Sequence, residues 1–281
     1  MTLTSPVLAS ILSDTKTSIG NVFTHIAFGE DSTASLISDT ELGLEVLRKA
    51  RDAIDTTVAN QVTVSGSAGA SEANGNTIRE TGWFNAGSLV VDNCNVADWS
   101  DSVDMTTSLN TADYKEGEKS LNLIKDNTGS ATASTSKTTT SRDFTGKDFT
   151  IWIKIIDAAM LAKLAASDCI TIRFGSDSSN YYQWTKDAAD LAVGWNLIKG
   201  LNSGNATVVS SPVIAACDYT YIGITATGAA ITWSAGDLIM DYIVLISGTL
   251  ECRDNPTAIV KIDSVILYFD TTVEIDVIEV I

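Results

Sequence analysis

One histidine, three prolines and four cysteines in 281 residues exclude several chemistries at once. With His25 alone, histidine-based triads and zinc sites have no second partner. His25 lies between Thr24 and Ile26 in a strand-like run, where a lone histidine reads as structural. The cysteines, Cys94, Cys169, Cys217 and Cys252, show no metal-ligand spacing. Cys169 and Cys217 sit in apolar runs and read as small buried hydrophobes. Basic residues are scarce: 18 Lys and Arg stand against 35 Asp and Glu, for a net charge of −17. That balance leaves no basic patch for phosphates and disfavours nucleic acid and anionic membranes as partners. No apolar run reaches membrane-spanning length. The opening residues 1–16 lack a basic leader, so the expectation is synthesis in a cytoplasm without an export signal. P-loop, GxGxxG and EF-hand patterns are also missing.

What is abundant points to strands. Thr, Ser, Val, Ile and aromatics outweigh the residues typical of helical proteins, and 44 % hydrophobic residues suffice for a core. Length alone suggests two domains. Residues 1–30 read as extended segments with turns near Asp14 and Gly20, closed by a strand at 23–28. Residues 38–54 read as the one helix outside the middle region. Ser38 would be its N-cap, with Glu41 reaching back, and Leu42, Val46, Leu47, Ala50 and Ile54 recur at helical spacing. Glu45 and Arg48 would form an ordinary surface pair on it. Strands follow at 61–64 and 77–84, where Gly82 marks a bulge or a close backbone approach.

From about 93 to 247 the pattern changes to short strands between Ser/Thr/Asp/Gly loops, the mark of a sandwich or jelly roll. The strands expected are 119–125, 149–156, 170–174, 181–185, 195–199, 219–226 and 238–246, with a short helix at 158–166. Simple strands then return. Residues 259–269 and 271–280 suggest a hairpin turning near Asp270. The apolar chain end, 277–281, should be covered. The flanks 71–84 and 248–269 read as two halves of one small domain separated by the middle region. The expected organisation is therefore 1–92 plus 248–281 as a discontinuous α+β domain, interrupted by a β-sandwich or jelly roll at 93–247. Cys94 and Cys252 flank the break, where a bridge is one reading and two free thiols the other.

The series Ile26-Ala27-Phe28-Gly29, Asp39-Thr40-Glu41-Leu42, Glu45-Val46-Leu47-Arg48, Glu72-Ala73-Asn74 and Ile78 to Phe84 resembles an anchoring domain of tailed-virus structural proteins, found in tail-fibre, collar and decoration proteins. Gly248 to Arg253 and Ile259-Val260-Lys261 fit the later strands of that pattern. The resemblance covers about 120 residues in two pieces. It departs from the family at Phe28-Gly29-Glu30-Asp31, where a Gly-Thr-Gly-type turn is more usual. It implies a virion location on tail, baseplate or head, a homo-oligomer (trimer or pentamer) and other virion proteins as partners. A head decoration or turret protein and a stand-alone carbohydrate-binding protein are the alternatives.

The middle region resembles galactose-binding-like and carbohydrate-binding jelly rolls at Tyr114 to Leu121, Phe174 to Tyr182, Gly194-Trp195-Asn196 and Asp241-Tyr242-Ile243. This resemblance implies a structural calcium held by Glu116, Asp237 and Asp241, the other reading being solvated loop carboxylates. It also implies stacking of a host-surface glycan on Tyr181, Tyr182, Trp184 and Trp233, the other reading being that Trp152, Trp195 and Trp184 are core. No catalytic residue is expected. A hydrolase would need a paired-carboxylate cleft, for which Asp177 and Asp237 are the residues to test.

Overall fold

The computed structural model describes residues 5–36, 39, 41–58, 61–73, 75–248, 250–254, 259–261 and 266–274, with side chains from residue 13 to residue 250 in those ranges and at 259, 261 and 266–273. Before the break lie α1 (Ser5–Val22), β1 (His25–Gly29), β2 (Glu45–Ala50), β3 (Ala53–Asp55), β4 (Gln61–Ala68), β5 (Thr77–Ile78) and β6 (Glu80–Phe84). The middle region holds β7 (Ser88–Asp92), β8 (Ser100–Asp101), β9 (Thr106–Asn110), β10 (Ser120–Ile124), β11 (Thr132–Arg142) and β12 (Asp148–Ile155). It continues through α2 (Ala158–Lys163), β13 (Ile170–Gly175), β14 (Tyr181–Lys186), β15 (Gly194–Leu201), β16 (Thr207–Val209), β17 (Cys217–Thr225) and β18 (Leu238–Ile246). The chain then adds β19 (Leu250–Asp254), β20 (Ile259–Val260) and β21 (Leu267–Glu274). By contact the chain separates into Met1–Ser88 plus Gly248–Ile281 and Leu89–Ser247.

The first unit is built on a four-stranded sheet in the order β19-β6-β1-β2, with β21-β4-β3 and β20-β5 as smaller sheets. Phe84 pairs with Leu250 in the antiparallel β6–β19 ladder, so strands on either side of the break are direct neighbours. Ala27, Leu42, Phe84 and Leu250 pack as a buried cluster. Gly82 is small because both Leu250 and Leu42 press on it: a Cβ there would lie 2.7 Å from one and 2.9 Å from the other.

Three expectations are corrected here. Residues 45–50 form strand β2, paired antiparallel with β1, not part of a helix over 38–54. The cause is Glu80. Its fully buried carboxylate accepts the amides of Gly43 (3.0 Å) and Leu44 (2.8 Å), which a helix begun at Ser38 would commit to carbonyls four residues back. Ser38 itself lies outside the described residues. Arg48 and Glu45 do pair, bidentately at 2.9 and 2.6 Å, but Arg48 is buried with its guanidinium 3.5 Å from the Phe84 ring centroid, so the pair is no surface feature. Burial pushes the Glu45 carboxyl up, against the pull of Arg48.

Second, residues 5–22 are helical where extended chain was expected. Thr17 and Ser18 turn their hydroxyls back to the carbonyls of Ser13 and Asp14, as Ser and Thr do inside helices. Gly20 leaves room for Ile54, whose Cδ1 sits 2.7 Å from where a Cβ would be. Arg51 donates to the carbonyls of Gly20 and Phe23 at the helix end, where the dipole favours a cation. Third, β21 runs unbroken through Asp270-Thr271 as the partner of β4, so there is no hairpin turn there. Residues 275–281, including the whole apolar chain end, lie outside the described residues.

The second unit is a β-sandwich, and the fold is mainly β. One sheet follows the path β15-β12-β18-β10-β9, with β7 also on β18; the other runs β16-β14-β13-β17-β11-β8. Alternation along the strands sends Ile151, Ile153 and Ile155 of one sheet and Ile170, Ile172 and Phe174 of the other into a shared core. Phe144 lies edge-on to Phe174 (5.4 Å between centroids), Tyr182 (5.6 Å) and Trp184 (6.0 Å) within it. The short helix α2 ends at Lys163 and is capped by Asp157, which accepts the Met160 amide at 2.8 Å. Cys94 is a free, fully buried thiol; the Cys252 side chain lies outside the described residues.

Candidate functional site

The two outer faces of the sandwich differ in what covers them. On the β12–β18 face, Trp152 is opposite Asp241, and a bulge beside them places Tyr242 at φ +44°. The segment around Lys115 crosses this face. Its ammonium lies 4.7 Å from the Trp152 ring centroid and 5.9 Å from that of Trp195, and Lys115 is buried. Asp113 and Lys154 close the crossing with a 2.5 Å ion pair. Asp241 accepts the amides of Lys115 (2.6 Å), Glu116 (3.1 Å) and Tyr242 (2.8 Å). Burial nevertheless outweighs these bonds and pushes its carboxyl up to about 7.

The three carboxylates expected to hold calcium are not gathered. Asp237 closes its own turn by accepting the Ser234 amide at 2.9 Å. It stands four residues before Asp241, roughly 13 Å along a strand. Among the described residues, no group of three or more His, Cys, Asp or Glu side chains is placed to hold a metal ion.

The glycan residues expected from sequence separate into two classes. Trp233 is 3 % exposed and donates its indole N–H to the Leu123 carbonyl at 2.6 Å. Trp184 is 6 % exposed, stacks on Phe149 and donates to Asn205 Oδ1 at 2.8 Å. Tyr182 is buried in the same core. These three pack the sandwich. Tyr181 alone is on the outer side, where alternation along β14 puts it.

The register of that second sheet builds a continuous outward row. Thr207, Gln183, Arg173, Tyr221, Ser136 and Ser100 are direct partners from strand to strand, one from each of the six strands. Five inter-strand gaps make the row roughly 24 Å long. The adjacent row carries Val209, Tyr181, Gly175, Tyr219 and Thr138. Arg173 is held between two rings, its guanidinium carbon 4.5 Å from the Tyr181 centroid and 4.3 Å from that of Tyr221. Its Nε donates to Gln183 Oε1 at 2.9 Å. Tyr221 leans along its own strand over Gly223, where a Cβ would meet the ring at 2.9 Å. Burial raises the Tyr219 phenol, with a hydrogen bond to Ser136 acting the other way.

Arg173, Gln183, Tyr219 and Tyr221 were not among the residues expected from sequence. The signal that could have found them is the shared odd parity of Arg173, Tyr181, Gln183, Tyr219 and Tyr221 in strands whose even positions include Ile172, Phe174, Trp184, Ile222 and Ile224.

No family model and no curated protein matches this chain. Among solved structures, a family 11 carbohydrate-binding module from Clostridium thermocellum, in complex with a β-1,3-1,4-mixed-linked tetrasaccharide, is similar over 57 % of this chain and 96 % of its own. The identity is 11 % and the TM-score 0.41. A carbohydrate-binding module from the β-sandwich superfamily, described as promiscuous in specificity, is similar over 80 % of this chain and 86 % of its own at 10 % identity and TM-score 0.38. The C-terminal family 22 module of Clostridium thermocellum Xyn10B follows at 14 % identity and TM-score 0.31, over 56 % and 92 %.

Proposed function

We propose that the inserted unit is a non-catalytic glycan-binding module and that the split unit is its mount. The observation that carries this reading is the row across the six-stranded sheet. With the adjacent Tyr181–Tyr219 row, it sets out tyrosine rings, a fixed guanidinium, an amide and hydroxyls on a firm β-surface some 24 Å long. Aromatic faces take the apolar side of a sugar ring, and the polar groups beside them fix its orientation. A surface built on strands holds such groups more firmly than loops would.

The test is binding of the full chain to a panel of polysaccharides, with Tyr221→Ala and Tyr181→Ala as controls. Each substitution should weaken binding at least tenfold without lowering the melting temperature. Failure of every polysaccharide at millimolar sugar concentration would overturn the reading.

The split unit as a virion anchor is the finer part of the proposal. It is supported by the resemblance of the flanking segments to tail-fibre, collar and decoration anchors. Oligomerisation through that unit belongs to the same reading. Mass spectrometry of purified tailed-virus particles encoding this chain tests it: absence from the particles removes the virion role and leaves the glycan reading intact.

A further inference from the structure

We infer that the sheet-face row recognises a sugar-borne anion, a carboxylate or sulfate on the polysaccharide, and that Arg173 is its specificity-determining residue. The inference rests on the glycan-binding reading and deepens it.

Three observations carry it. The first is the state of Arg173. Its Nε is committed to Gln183, and both ring contacts are cation–π contacts that leave the N–H groups unspent. Among the described residues, Nη1 and Nη2 have no protein acceptor. A guanidinium stacked between two rings is already ordered, so little side-chain entropy remains to be lost when it grips a ligand. Its planar fork matches a carboxylate or a sulfate with two parallel N–H···O bonds.

The second observation is the polarity of the neighbours. Because Arg173 Nε must donate, Gln183 presents Oε1 to it, and this leaves the Gln183 Nε2 amine as a donor. Donors thus dominate the middle of the row. A neutral sugar hydroxyl needs acceptors as well as donors, whereas an anionic group needs donors only.

The third observation is what the face omits. The chain has nearly two acidic residues for every basic one, 35 against 18. Yet the six-residue row holds one cation and no carboxylate, and the Tyr181–Tyr219 row beside it holds no charge at all. An acidic residue there would repel an anion and pair off Arg173. Asp177, in the loop between β13 and β14, closes its own turn with Asn180 instead.

The test compares polygalacturonate and alginate (uronates), carrageenan (sulfated) and neutral galactan, each titrated against the full chain and against Arg173→Gln at 50 and 500 mM NaCl. Tighter binding of one or both anionic classes by tenfold or more over galactan is expected. That preference should shrink with salt and fall to parity in Arg173→Gln, with an unchanged melting temperature. Arg173→Lys should recover only part of it, since an ammonium keeps the charge and loses the fork. The uronate and sulfate arms tell which anion is read. Equal affinity for galactan and the anionic polymers, or a uniform loss in Arg173→Gln, would overturn this inference while leaving the glycan reading standing. Binding of none of the four in a chain that also binds no other polysaccharide would remove both.

Discussion

Asp241 accepts the backbone N–H of Lys115, 126 residues away in the chain, at 2.6 Å. This bond ties the segment that crosses the β12–β18 face to the last strand of the sandwich. It also puts a carboxyl in a site where burial raises it to about 7. An unfolded aspartate titrates near 3.9, so folding takes up a proton between the two values. The contribution is therefore fully present below about pH 4 and is lost as the pH rises to about 7. Its size is on the order of 4 kcal/mol. Asp241→Asn should flatten that part of the profile. Urea melts of both proteins at pH 4.5, 6 and 8 check this, and an unchanged difference between them across that range would refute it.

Trp233 and Trp184 should behave as core residues. Trp233→Ala removes a fully enclosed indole and orphans the Leu123 carbonyl, at a cost of about 3–5 kcal/mol. Trp184→Phe should cost less, about 1–2 kcal/mol, chiefly through the lost bond to Asn205. Denaturant midpoints measure both. If either substitution abolished polysaccharide binding while leaving the midpoint unmoved, the assignment to the core would be wrong.

Gly223→Ala offers a way to disturb Tyr221 without touching it. The new methyl would lie 2.9 Å from the ring, so the ring must shift off its place over the strand. Affinity for polysaccharide should fall about tenfold, while strand pairing of β17 survives and the thermal midpoint drops by only a few degrees. Calorimetric titration beside a thermal melt separates the two effects.

Glu80 anchors the 31–44 segment of the split unit through the amides of Asp31, Gly43 and Leu44. Glu80→Ala leaves those donors without their acceptor and opens space beside Gly29, at a cost of about 3 kcal/mol or more. The segment should become an early site of proteolytic cleavage. Limited proteolysis with mass mapping would show it, and an uncleaved segment in a destabilised protein would count against the role given to Glu80.

The middle strands were legible because their apolar residues come in short runs bounded by turn residues. Leu238–Ile246 was expected with the bounds it has, and Asp148–Ile155 within a residue. Strand β11, TASTSKTTTSR, escaped because its inward positions include Ala133 and Thr135, too small and too polar to mark a buried face. The helix expected over 38–54 failed for a different reason. Its apolar spacing is real, but the buried Glu80 carboxylate, 36 and 37 residues on, takes the amides of Leu44 and Gly43 that a helix needs. Helix α1 went unread because Asp14 and Gly20 resemble turn residues, and only Ile54 and Arg51, distant in sequence, reveal why a glycine is tolerated there.

The binding face was half legible. Tyr181 could be named from its loop-side position, but its companions Arg173 and Tyr221 become neighbours only through strand register. The indoles that look most like sugar platforms in sequence are the ones the core consumes. An aromatic's type does not say which face of a strand it takes, and parity relative to known core positions does.

The strands at the break have a consequence for the order in which the molecule assembles. β6 pairs with β19 on one side of it, and β7 pairs with β18 on the other. The unit Leu89–Ser247 is thus the connection of a hairpin. While it is unfolded, closing that hairpin means closing a floppy loop of the whole unit, which costs about 2 kcal/mol more than a turn of some ten residues. Once β7 and β18 have paired, the connection is short. Completion of the sandwich therefore lowers the cost of the split unit's central pairing.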